Sequence, residues 1–155
     1  KIYWLDNVVT ILMGLFIIYS GVKILKKSVA GIMDEADFAL LEEVVIHLNE
    51  NRKENWIDIH NLRIIKFGDK IHIDCHTTIP WYFNANEVHD ELKLVEKCIK
   101  DIIPNNLETF IHADPCLPKS CKSCFKSNCK VRQSPFERRI EWTLENVMKN
   151  EKHYL

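Results

Sequence analysis

The sequence predicts an α+β fold: a helix–strand–strand–helix–strand domain with one transmembrane helix before it and a cysteine-rich loop and helix after it. Three observations carry this. Ile71 to Ile79 (IHIDCHTTI) alternates at period two, stripes at helical spacing lie on either side, and a long apolar run opens the chain. Within the alternating stretch, Ile71, Ile73, Cys75, Thr77 and Ile79 share one face of a strand, and His72, Asp74, His76 and Thr78 share the other. One face seeks a core. The other gathers two imidazoles and a carboxylate, groups that bind zinc, spaced about 7 Å apart along the strand. One ion there needs ligands from other segments; taken alone, the stretch also reads as the solvated face of an antiparallel strand.

The gross composition sets limits. A chain of 155 residues buries one modest core, or a smaller one beside a membrane segment. Its formal net charge of -1 gives no electrostatic case for nucleic acid as a partner. Six cysteines and seven histidines are the anomaly, and four of the cysteines fall between 116 and 129.

From Asn7 to Leu25 the only charge is Lys23. Nineteen residues span about 28 Å as a helix, close to the roughly 30 Å hydrocarbon layer, so this run predicts a transmembrane helix. The apolar run is too long, and no small-residue cleavage site follows, for a signal peptide. Lys23, Lys26 and Lys27 crowd its carboxyl end, which places everything after about residue 27 in the cytosol, with Tyr3 and Trp4 at the opposite interface. Asp6 suits the amino end of the helix dipole. A single apolar helix with a polar edge of Thr10, Gly14, Tyr19, Ser20 and Gly21 reads as part of a bundle.

Asp34 and Asp37 offer caps for a helix with a Phe38, Leu41, Val45 and Leu48 stripe, ending in the polar run from Asn49 to Arg52. Trp56 to Phe67 reads as a strand whose apolar parity slips between Ile59 and Leu62, which predicts a bulge near His60 and Asn61. Gly68-Asp69 turns it into the alternating strand. Asn84 and Glu87 have capping-box spacing, and Val88, Leu92, Val95, Ile99 and Ile102 form a stripe up to Pro104. Leu107 to Ile111 is a third strand, reached by a crossover through that helix, as in a split β-α-β sheet with helices on one face.

These residues, in this order, resemble the cation diffusion facilitator (cation efflux) family. The resemblance covers roughly residues 3 to 115 and rests on Asp6, Ile18-Tyr19-Ser20-Gly21, Ile32-Met33-Asp34, His60, Ile71-His72 and Ile111-His112-Ala113-Asp114-Pro115. It implies a metallochaperone-like (ferredoxin-like) cytosolic domain that forms a homodimer and binds zinc or another divalent transition-metal ion. The whole transporter would exchange such ions for protons across a cell (plasma or inner) membrane. Carried over by position, His60, His72, His112 and Asp114 are the implied metal ligands, and Asp6 the implied partner of a lysine on another helix. Where the family often has Ala-His this chain has Ala85-Asn86, and His89, Asp74 or His76 could stand in. The transport-site aspartates and histidine of the family's second and fifth helices have no counterpart here. The expectation is therefore the carboxyl-terminal part of a transporter that works with further transmembrane helices.

Three parts follow: 1–33, the last membrane helix and linker; 34–115, the dimerisation and metal-binding domain; 116–155, a four-cysteine loop and amphipathic helix. Cys116, Cys121, Cys124 and Cys129 are spaced C-x4-C-x2-C-x4-C between Pro115 and Pro135, which suits a closed tetrathiolate zinc centre. An iron–sulfur cluster is the alternative, and disulfides fit the cytosolic side poorly. Cys75 and Cys98 read as core residues. Phe136 to Lys149 carries Phe136, Ile140, Leu144 and Val147 at helical spacing. No acid–base pair stands beyond the ligands, so no enzyme is expected. A membrane-tethered metal chaperone or sensor is the alternative function, and a metal-free dimerisation module the plainest one.

Overall fold

The computed structural model describes residues 3–32 and 38–155, and the chain divides into two compact units, Lys1–Glu35 and Ala36–Leu155. The caps expected at Asp34 and Asp37, and Met33, lie outside the described residues. The first unit is one helix, α1 (Tyr3–Ile32). Its span Trp4–Lys26 has a mean hydropathy of 2.2 and none of it is buried, so it is long and apolar enough to cross a membrane. Near its start the Thr10 hydroxyl donates to the Asp6 carbonyl at 2.8 Å.

The second unit runs α2 (Phe38–Glu50), β1 (Asp58–Phe67), β2 (Lys70–Ile79), α3 (Ala85–Ile102) and β3 (Leu107–Pro115). A 3-10 turn at Pro118–Lys122 and a short helix, α4 (Leu144–Val147), follow. The sheet order is β1-β2-β3, with β1 antiparallel and β3 parallel to the central β2. The expected crossover is present. Gly68, at φ 66, closes the hairpin in a conformation that an L side chain adopts only under strain. Asn84 starts α3 with the anticipated capping box: its carboxamide accepts from the amides of Asn86 (2.9 Å) and Glu87 (3.1 Å), while Glu87 accepts from the Asn84 amide at 2.8 Å.

The core lies between the helices and one face of the sheet. Leu41, Val44, Val45 and Leu48 of α2 and Val95, Cys98 and Ile99 of α3 meet Ile59, Ile64, Ile73 and Cys75. Burying each such aliphatic side chain contributes about 1.5–3 kcal/mol. Cys75 and Cys98 are core residues, as the parity of their elements required. The bulge falls between His60 and Arg63, with Asn61 at φ 54. It lets Ile59, Leu62 and Ile64 all be buried despite their opposed parities.

Three expectations are corrected. β1 begins at Asp58 rather than Trp56, and β3 continues past Ile111 to Pro115 because it pairs with β2 along its whole length. The helix expected over Phe136–Lys149 is confined to Leu144–Val147. The preceding stretch is an extended strap whose backbone groups are taken by neighbours rather than by its own fourth-next residues. The Glu137 amide donates to the Lys122 carbonyl at 2.8 Å, the Ile140 carbonyl accepts from Arg52 Nη1 at 2.7 Å, and the Trp142 amide donates to Asn49 at 3.4 Å. Trp142 of this strap and Val147 of α4 complete the core.

Candidate metal centre

Strand register builds the site. The hairpin pairs His60 with His76, and the parallel ladder pairs His76 with His112, so three imidazoles form one row across the outer face. Ring centroids lie 5.2 Å apart for His60 and His76 and 4.8 Å apart for His76 and His112. The next row holds Asp58, Thr78 and Asp114. Asp114 reaches back into the histidine row: its Oδ2 is 3.2 Å from His60 Nε2 and 3.4 Å from His76 Nδ1, and its Oδ1 is 3.6 Å from His112 Nδ1. Among the described residues, His60, His76 and Asp114 form the set whose ligand atoms all lie within 4.8 Å of one another.

Burial makes the set chemically demanding. His60 is 3% and Asp58 4% exposed. His60 Nδ1 is buried 3.3 Å from Asp58 Oδ2, yet without the geometry of a hydrogen bond. A buried imidazole between two carboxylates, with one nitrogen unsatisfied, fits a divalent ion on the other nitrogen, Asp58 orienting the ring from behind. Burial pushes the Asp58 carboxyl up, but contacts from the rings of His153 and His60 outweigh it and hold the carboxyl below its ordinary value. The C-terminal strap closes over this face. Lys152 Nζ lies 3.6 Å from Asp114 Oδ2 and donates to the Pro115 carbonyl at 3.0 Å, while the Asn61 amide of the bulge donates to the Lys149 carbonyl at 2.8 Å.

Of the residues named from the sequence, His60 and His112 both face Asp114, while His72 stands apart from them. It pairs with Ile65 and Glu108, its Nδ1 is 3.5 Å from Glu108 Oε2, and its ring faces Phe110 at 6.3 Å. His76 occupies the place that the resemblance gave to His72. His89 lines a separate hollow beside Leu92, Thr109 and Ile111, and Asp74 pairs with Arg63 and Phe110, so neither joins the row. The four tail cysteines are free thiols that line one cavity of about 20 Å³.

The family model for the cation efflux protein cytoplasmic domain matches residues 36–116. The chain belongs to the cation efflux family. Two solved structures of CzrB, described as a candidate zinc transporter, are similar to this cation efflux domain. The Zn form is 20% identical with a TM-score of 0.44, covering 48% of this chain and 82% of that one. The other is 19% identical with a TM-score of 0.45, covering 50% and 93%. No curated protein matches the chain.

Four residues of the cation efflux domain's site escaped the sequence argument or stood in it only as substitutes: Asp58, His76, Lys152 and His153. Two of them were within reach. Counting back from Gly68-Asp69 pairs Phe67 with Lys70, and one bulge residue then sets His60 opposite His76. Lys152 and His153 carry no such signal, because an extended strap has no period that aims its side chains.

Proposed function

We propose that this chain is the cytosolic regulatory and dimerisation domain, with the last membrane helix, of a proton-coupled divalent-cation efflux transporter. Zinc is its favoured ion. The observation that carries this reading is the meeting of one Asp114 oxygen with His60 Nε2 at 3.2 Å and His76 Nδ1 at 3.4 Å, ligand atoms close enough to share one ion. Imidazole and carboxylate ligands suit zinc, with cobalt and iron as close competitors. His60, His76 and Asp114 would hold the ion, with His112 beside them. Three protein ligands leave a tetrahedral ion one open position, which suits completion by a second protomer and hence control through dimer geometry. In this reading α1 would embed in the membrane beside the transporter's other helices.

The test is zinc binding by the full chain in detergent micelles, followed by dialysis, with sedimentation reporting the dimer. His60→Ala and His76→Ala should each weaken the site at least about tenfold and blunt the zinc-dependent dimerisation, while His72→Ala leaves both unchanged. Zinc binding indifferent to His60→Ala and His76→Ala refutes the proposal.

A further inference from the structure

Beyond β3 the chain folds into a loop with little regular structure, and it does so around sulfur. The Cys116 amide donates to the Ile79 carbonyl at 2.9 Å, which fixes the first cysteine at the end of the sheet. The 3-10 turn sets the middle pair, the Cys124 amide donating to the Ser120 carbonyl at 3.0 Å. Arg132 then closes the loop from within: its guanidinium donates to the carbonyls of Cys121 (2.8 Å), Cys124 (2.9 Å) and Lys126 (2.7 Å). Cys129 lines the same cavity as the other three, its Sγ 3.9 Å from the Tyr82 hydroxyl. All four side chains line the same small cavity against Ile57 and Pro80.

That arrangement lacks what ordinarily holds an irregular loop. Residues 116–132 contribute Cys124, Ser120 and Ser123 to the buried set, and the thiols are unlinked. A small unit without a sufficient apolar core is commonly fixed by disulfides or a metal ion. The cavity volume of about 20 Å³ is the scale of a single water or ion, not of an organic ligand. Donors already face sulfur, since the Gln133 amide lies 3.5 Å from Cys121 Sγ, the kind of outer contact that orients metal-bound thiolates.

We infer that Cys116, Cys121, Cys124 and Cys129 form a closed tetrathiolate centre for one divalent cation of the zinc class, whose role is to anchor the C-terminal strap. Each thiol gives up its proton as the ion binds, and four protein ligands leave no position for substrate. The loop hands its order to the strap through the Lys122–Glu137 ion pair (2.9 Å) and through Lys119, whose Nζ lies 3.9 Å over the Tyr154 ring. Tyr154 is next to His153 and Lys152, the residues that reach Asp58 and Asp114. This centre stands independently of the function proposed for the His–Asp cluster.

The experiment loads the full chain in micelles with cobalt(II) under reducing conditions and records thiolate-to-cobalt charge-transfer absorption, beside zinc content and limited proteolysis of residues 133–143. The wild type should show that absorption, and Cys121→Ser/Cys124→Ser should lose it with about one ion per chain and become readily cleaved in the strap. His60→Ala/His76→Ala should retain the absorption, which separates this centre from the other. Cys129→His, which keeps a zinc-compatible ligand, should keep the ion with weaker thiolate absorption and a protected strap, whereas Cys129→Ser should lose both. Absent thiolate absorption in the wild type, an iron–sulfur cluster, or a strap equally protected with and without the ion each overturn the inference.

Discussion

His153 places its Nδ1 2.7 Å from Asp58 Oδ1 while its backbone amide donates to Asp58 Oδ2 at 3.1 Å, so one residue of the C-terminal strap engages both oxygens of a buried carboxylate. Its other ring nitrogen lies 2.9 Å from the Asn146 carbonyl. Both ring nitrogens therefore face acceptors, an environment that favours the doubly protonated ring. The Asp58 hydrogen bond raises the His153 pKa above its ordinary 6.5; burial and the nearby Lys149 ammonium oppose this without cancelling it. A group raised in the folded state contributes fully below its unfolded pKa and loses that contribution as pH rises through its folded pKa. In chelator, the full chain should thus lose stability as pH rises from about 6.5 through the raised His153 pKa. His153→Gln should flatten that slope, measured as thermal midpoint against pH. An unchanged slope would show that the strap does not report on this contact.

Asp58 also stands 3.3 Å behind His60. A carboxylate that orients a ligating imidazole commonly matters about 10–100-fold in metal affinity. Asp58→Asn keeps the shape but removes the charge, so zinc affinity at the His–Asp cluster should fall by about that factor at unchanged stoichiometry. Equilibrium dialysis reads both quantities. Loss of the ion altogether would make Asp58 a ligand instead.

Most of this domain was legible because its elements are periodic. The Leu41, Val45 and Leu48 stripe, from which Phe38 is left out in solvent, the capping box at Asn84 and the slip between Ile59 and Leu62 each encode a local geometry that packing preserves. His72 was named from a short motif at Ile71-His72, whereas the register, a longer-range constraint, puts His76 opposite His60. The C-terminal helix was over-read for the converse reason. Phe136, Ile140, Leu144 and Val147 have helical spacing, yet only Leu144–Val147 is helical, and the core takes Trp142 from a non-helical approach held by Arg52 and Asn49. Spacing reports a periodic face only when the backbone bonds to itself.

Arg52 is the clamp for that approach. Only 8% exposed, it donates through Nε to the Trp56 carbonyl at 2.9 Å, through Nη1 to the Ile140 carbonyl at 2.7 Å and through Nη2 to the Ile57 carbonyl, with its Cζ 3.9 Å from the Trp142 ring centroid. Burial lowers its pKa to about 10, so it remains charged at neutral pH and all three carbonyls stay engaged. Arg52→Lys keeps a charge but not the fork, and should cost about 1.5–3 kcal/mol in denaturant unfolding of the full chain. Arg52→Ala should cost more and raise protease cleavage across residues 133–143. Equal stability of Arg52→Lys and wild type would exclude the fork geometry as the clamp.

Lys152 sets up a competition that the metal centre must win. Its ammonium is 3.6 Å from Asp114 Oδ2, the same oxygen that faces His60 and His76, and its side chain is 18% exposed. A tethered cation beside a ligand carboxylate neutralises the charge that attracts an ion, and it repels the ion directly; at such distances in a partly screened site this is worth a few kcal/mol before solvation is counted. Lys152→Gln should therefore tighten zinc binding at the His–Asp cluster by about three- to tenfold, with the gain shrinking at high salt because only the charge has changed. Lys152→Arg should leave the affinity near wild type, since it keeps the charge. Weaker zinc binding in Lys152→Gln would assign the opposite role, with the Lys152 contact to the Pro115 carbonyl holding β3 in the geometry that presents Asp114.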